Sequence, residues 1–67
     1  MDEKIIVSVS EITISAILNL GYSYGFTVQY ADGEIRNILR QSTLKNDLRI
    51  IQALQVERET YINLIPK

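Results

Sequence analysis

The 67-residue chain contains no cysteine and no histidine. Without cysteine there can be no disulfide, and without either residue a structural zinc ion lacks its usual ligands. The same absences exclude Ser-His-Asp and Cys-His catalytic arrangements and metals bound through imidazole. We therefore expect no catalytic residues, no metal site and no cofactor, and we expect that the protein is not an enzyme.

Long apolar runs are also missing. No segment approaches the ~18–20 residues that a transmembrane helix needs. The first four residues, Met-Asp-Glu-Lys, are acidic, whereas a signal peptide begins with a positively charged segment. These features predict a cytoplasmic protein with no membrane partner.

An excess of either charge sign is lacking, since seven Lys and Arg residues against eight Asp and Glu residues give a net charge of −1. Such a balance creates no global field that attracts nucleic acid or anionic lipid. Residues 36–49 are the exception, with four basic residues against one acidic residue: Arg36, Arg40, Lys45 and Arg49 against Asp47. This basic run is the one electrostatic asymmetry that could favour an anionic partner.

What the chain does contain is typical of a globular protein, with 46% hydrophobic residues. Its length predicts a single domain over residues 1–67. A domain this small buries only about 60% of the surface that its unfolded chain exposes. Because disulfides and zinc are excluded, oligomerisation is the remaining way to supplement so small a core.

The strongest local pattern is Asp32-Gly33 between two β-rich segments, which predicts a hairpin with a two-residue type I′ turn. In that register Tyr30 lies opposite Ile35, and Phe26 lies opposite Leu39. One face then carries the expected core residues Phe26, Val28, Tyr30, Ile35 and Leu39, with Asn37 an unexplained polar residue among them. The other face carries Thr27, Gln29, Arg36 and Ile38.

Before the hairpin, residues 4–9 have the alternation of a strand. Residues 11–20 fit two structures. Nearly strict alternation favours a strand, whereas Ser8 to Glu11 matches a capping box and Gly21 a helix C-terminus. We favour the strand, with a bulge or bend near residues 8–11 because the apolar parity shifts there. Residues 21–25 contain two glycines and predict a connection.

After the hairpin, Leu44, Leu48, Ile51 and Leu54 form one apolar stripe, which predicts a helix over about residues 43–56. Ser42 or Thr43 is its expected N-cap. Residues 59–65 predict a short edge strand that ends at Pro66. The predicted fold class is therefore α+β: a small, curled, barrel-like antiparallel sheet in the order β-(β)-β-β-α-β with one helix.

Two functional hypotheses follow from these features. The first is a small non-enzymatic interaction or regulatory module that acts through protein–protein contacts, because unpaired strand edges invite a second strand. Its expected partners are a second copy of the chain, in a homodimer, and an unidentified protein. Its expected partner-binding residues are Arg36, Ile38, Tyr22 and Tyr24. The alternative is a nucleic-acid-binding β-domain that combines Arg36, Arg40, Lys45 and Arg49 with exposed tyrosines.

Overall fold

A computed structural model describes residues 4–66 and contains four strands and one helix. The elements are β1 (Ile6–Val9), β2 (Thr13–Ile17), β3 (Gly21–Tyr30), β4 (Ile35–Ser42) and α1 (Leu48–Asn63). The predicted α+β class, an antiparallel sheet with one helix, is confirmed. The sheet is open, however, and does not close into a barrel.

The sheet is built around β3, which pairs along both of its edges. On one edge β1 pairs with residues 28–30 of β3 and β2 pairs with residues 21–25. On the other edge β4 pairs with residues 22–29. Since β1 and β2 follow each other along one edge, they act as a single interrupted strand.

Ser10 bridges the interruption between β1 and β2. Its backbone N–H donates to the Thr27 carbonyl at 2.9 Å, and its Oγ accepts from the Thr27 N–H at 2.8 Å. The ladder with β3 therefore continues through a side chain where the strand leaves its regular path. Thr13 follows Val9 by four residues, whereas their partners Gly25 and Val28 are three residues apart, so the predicted slip near residues 8–11 is confirmed. A second register shift, which the sequence did not predict, lies between Ile6 and Ser8. The strand interpretation of residues 11–20 is confirmed for β2.

The loop between β3 and β4 has three residues rather than the predicted two. Tyr30 donates its N–H to the Glu34 carbonyl at 2.8 Å and accepts from the Gly33 N–H at 3.0 Å. Gly33 has φ +93°, as a turn followed by a left-handed glycine requires. The hairpin itself is confirmed, but its predicted register is wrong by one residue, because Ala31 joins Asp32 and Gly33 in the loop and Tyr30 pairs with Glu34 instead of Ile35.

A shift of one residue reverses the two faces of β4. Phe26 pairs with Ile38 and Val28 with Arg36, so Ile38 and Arg36 lie on the side of the sheet that carries the helix. Ile35 and Leu39, expected in the core, are 59% and 58% exposed on the opposite side, here called the rear face. The rear face consists mainly of Thr13, Ser15, Ile17, Ser23, Thr27, Gln29, Ile35, Asn37, Leu39 and Gln41. Asn37 is thus a solvated residue opposite Thr27 and not a buried polar group.

The connection between β2 and β3 also lies earlier than predicted. The turn occupies residues 18–20, where the Leu20 N–H donates to the Ile17 carbonyl at 3.0 Å and Asn19 has φ +63°. Asparagine tolerates this left-handed conformation better than most residues. Gly21 starts β3 with φ +102°, and residues 21–25 are strand rather than connection.

Helix α1 begins five residues later than predicted and ends seven residues later. Asp47, not Ser42 or Thr43, is its N-cap. The predicted edge strand over residues 59–65 is wrong, because the helix continues to Asn63. The helical spacing in fact persists through Ile51, Leu54, Arg58 and Tyr61, and the polar Arg58 concealed it.

The core lies between α1 and the helix-side face of the sheet. Its six buried residues are Ile6, Tyr24, Phe26, Val28, Tyr30 and Leu54. Phe26 meets Tyr61 of the helix edge to face, with ring centroids 6.0 Å apart. Only Leu54 of the helix is fully buried, so the contact between helix and sheet centres on this residue.

We expect the substitution Leu54→Ala to lower the free energy of unfolding by about 2–5 kcal/mol, because it opens a cavity in the core. Leu48→Ala is the matched control on the same helix, since Leu48 is 67% exposed, and we expect a change within about 0.5 kcal/mol. Urea unfolding followed by circular dichroism measures both values. Equal losses for the two variants would contradict the conclusion that the contact between helix and sheet centres on Leu54.

Candidate functional site

The four residues predicted to bind a partner all lie on the helix-side face. Tyr24 is fully buried, and Tyr22 and Ile38 are half-buried against the core. Arg36 remains exposed, with its guanidinium 5.4 Å from the centre of the Tyr30 ring. The expectation that Tyr24 is available for contact is therefore corrected, because the helix and the segment that precedes it cover this face.

Tyr24 anchors the segment that leads into the helix. Its hydroxyl donates to the Leu44 carbonyl and accepts from the Asp47 N–H at 3.0 Å. These two hydrogen bonds stabilise the position of the hydroxyl, since breaking either of them leaves a buried polar group unpaired. The role of Tyr24 in this structure is therefore to hold the start of α1 against β3.

Asp47 completes the same network from the helix side. One carboxylate oxygen accepts from the backbone N–H groups of Arg49 and Ile50 at 3.1 and 3.4 Å, and the other accepts from Ser42 Oγ at 2.7 Å. The hydrogen bond from Ser42 is the main cause that lowers the pKa of the Asp47 carboxyl. The backbone N–H groups and the charge of Arg49 lower this pKa further, against a desolvation effect that would raise it.

The four residues of the nucleic-acid alternative do not form one patch of free cations. Arg36 Nε lies 2.8 Å from Glu34 Oε1, and Arg40 Nη2 lies 2.7 Å from Glu57 Oε1. Lys45 and Arg49 are exposed beyond the end of β4 and at the start of α1. The aromatic surface that would accompany them is the packed core, because Tyr24, Phe26 and Tyr30 are buried.

Strand β2 is the least covered element of the sheet. Four of its five residues are exposed and Ile17 is half-buried, although three of the five are apolar. The turn that follows carries Leu18 and Leu20, which are 86% and 68% exposed. Sequence reasoning identified the strand but not its exposure, because alternation indicates two faces without showing what covers them.

A groove of about 290 Å³ separates β2 from the helix. It is lined by Glu11, Ile12, Ile14, Ile51, Gln55 and Arg58. Arg58 spans its end, with Nε donating to the Ser10 carbonyl at 2.7 Å and Nη2 lying 3.4 Å from Glu11 Oε1. Three isoleucines and Gln55 thus line the groove together with the charged pair Glu11 and Arg58. Sequence reasoning did not select Arg58.

Among residues 4–66 no group of three or more acidic residues could hold a metal ion. Within the same range, no helix is long and apolar enough to cross a membrane. The expectations of no enzyme and no cofactor stay predictions.

No protein-family model, curated protein or solved structure matched this chain at the significance threshold of the comparisons.

We expect Tyr24→Phe to lower the free energy of unfolding by about 1–3 kcal/mol, because it leaves the Leu44 carbonyl and the Asp47 N–H without their shared partner. Tyr22→Phe is the matched control, since Tyr22 is half-buried and its hydroxyl makes no hydrogen bond within residues 4–66. Chemical denaturation measures both. A loss no larger than that of Tyr22→Phe would contradict the anchoring role.

The Asp47 cap predicts a pH dependence with a defined sign. Because folding lowers the pKa of this carboxyl, its stabilisation is complete above the ordinary value of 3.8 and is lost as the pH falls towards the folded-state pKa. Asp47→Asn keeps a capping oxygen but does not titrate. Below about pH 4, we therefore expect the melting temperature of wild type to fall relative to that of Asp47→Asn.

Asp47→Ala removes the capping side chain altogether and serves as the control. We expect it to lower the melting temperature by about 4–8 °C at neutral pH. A difference between wild type and Asp47→Asn that stays constant from neutral to acidic pH would show that the Asp47 charge does not stabilise the fold.

Proposed function

We propose that this chain is a small non-enzymatic interaction module that acts through protein–protein contacts and forms a homodimer. The observation that supports the proposal best is its large exposed surface. The chain exposes 5204 Å², whereas a compact monomer of 7.7 kDa is expected to expose about 4,300 Å².

The difference of about 900 Å² is close to the ~800 Å² that each partner buries in an interface of standard size. The shape supports the same conclusion. The radius of gyration is 13.4 Å and the longest axis is 41 Å, compared with a radius of about 11 Å for a compact chain of 67 residues. A second copy would cover surface that an ordinary small monomer does not expose.

The small core also favours association. Six buried side chains hold the sheet and the helix together, and the sequence has no cysteine for a disulfide. Burial of additional apolar surface in a dimer would raise the stability of each fold, because the folded state is stabilised by whatever binds it. The net charge of −1 opposes self-association only weakly.

The nucleic-acid alternative has less support, although Lys45 and Arg49 are exposed. Two of its cations are paired with glutamates, and its aromatic residues are mostly buried. The cytoplasmic location expected from the sequence stays a prediction beside the proposed function.

We expect the chain to sediment at twice its 7.7 kDa mass at tens of micromolar and to dissociate on dilution. Analytical ultracentrifugation at several concentrations measures the masses and the dissociation constant. The result should change little between low and high salt, because a net charge of −1 leaves little repulsion between two copies for salt to screen. A monomer at every concentration would overturn the homodimer.

A further inference from the structure

Among the strands of residues 4–66, β2 is the one with an unprotected edge. Its sequence, Thr-Ile-Ser-Ala-Ile, has no charge, no proline and no glycine. Its pairing with β3 is regular over all five residues, and β3 is its only partner. Natural sheets normally protect a free edge with charges, prolines or bulges, because unpaired backbone groups invite another strand.

The other free edges carry such protection. Strand β4 has Arg36 and Arg40, both in ion pairs, along the opposite side of the sheet. Strand β1 has four residues, and its register is irregular between Ile6 and Ser8. A charged edge and a bulged edge both resist the addition of a strand.

The surroundings of β2 suit an added strand. On the helix side, the groove that three isoleucines line together with Glu11, Gln55 and Arg58 lies beside the edge and can receive alternate side chains of that strand. On the rear face, Thr13 and Ser15 offer small polar contacts. Beyond the end of the strand, exposed Leu18 adds apolar surface.

We propose that two copies of this chain pair antiparallel through their β2 edges, so that the two sheets become one continuous sheet. The proposal rests on the homodimer of the proposed function and names its surface. Each β2 presents the same edge, which is what a two-fold, isologous interface requires. Ser15 is the middle residue of β2. All five residues of one β2 pair with the five of the other only if the two-fold axis passes beside Ser15, so that Ser15 lies opposite its own copy.

A second copy is the occupant that the dimensions favour. The excess surface of about 900 Å² per chain matches one protein partner of standard interface size. The β2 edge carries no charge of its own, so two copies meet without like-charge repulsion at the paired residues.

Cysteine scanning tests the geometry directly, because the chain has no cysteine of its own. With the axis at residue 15, the two Cβ atoms of Ser15→Cys lie about 4.5–5.5 Å apart, near the distance of a disulfide. The two Cβ atoms of Thr13→Cys are then separated by about 13 Å along the strands. Asn37→Cys, on the rear face of β4, is the control for the opposite edge.

Under mild oxidation at a concentration where wild type is dimeric, we expect Ser15→Cys to form a covalent dimer, and Thr13→Cys and Asn37→Cys to remain single chains. Cross-linking at Thr13 in place of Ser15 would still support pairing through the β2 edges, but it would place the two-fold axis beside residue 13. Cross-linking at Asn37 alone, or at none of the three positions, would overturn the β2 surface while the homodimer stands. A wild-type monomer in ultracentrifugation would overturn the homodimer as well.

A charge on the edge provides the second test. Ser15→Lys places two like charges next to the proposed axis, and we expect the dissociation constant to rise at least ~10-fold. Asn37→Lys is the matched control, also exposed on the rear face, and should leave the constant unchanged. Circular dichroism of both variants verifies the fold, and an unchanged constant for a folded Ser15→Lys would overturn the proposal.

Discussion

The loop from Ala31 to Gly33 decides which side of β4 meets the helix. Gly33 occupies the left-handed region at φ +93°, and Tyr30 holds the loop through its own N–H and carbonyl. Because side chains alternate along a strand, this register places Ile38 against the core and leaves Ile35 and Leu39 on the rear face. The composition of both surfaces of the molecule depends on this choice.

A second constraint joins the sheet to the helix. Tyr24 lies in the middle of β3, yet its hydroxyl reaches the backbone of residues 44 and 47 in front of α1. Asp47 then closes the helix N-terminus and takes a hydrogen bond from Ser42 at the end of β4. These hydrogen bonds form one network that joins the buried tyrosine, the end of the strand and the helix cap. The network explains why the helix starts at Leu48 rather than at about residue 43, as the sequence predicted.

The consequence of this arrangement is a sheet that the helix covers only in part. The helix packs mainly on β3 and β1, whereas β2 and the turn after it remain exposed with their apolar side chains. Charges and a bulge protect the edges of β4 and β1, and no such device protects β2. The proposed pairing of two β2 strands follows from this difference between edges.

Local sequence patterns were sufficient for β1, β2, the hairpin and the interruption near Ser10, because alternation and turn residues act over a few positions. They were wrong at residues 21–25, which belong to β3, and at residues 59–65, where the helix continues to Asn63. They also indicated a helix in the last third of the chain, but not its ends, since Arg58 interrupts the apolar stripe while its guanidinium holds the Ser10 carbonyl. The hairpin register, the burial of Tyr24 and the exposure of β2 depended on tertiary structure. The burial of Tyr24 and the exposure of β2 are decided by contacts between residues far apart in sequence. The register was missed because two-residue and three-residue loops differ by a single position that the pattern Asp-Gly does not distinguish.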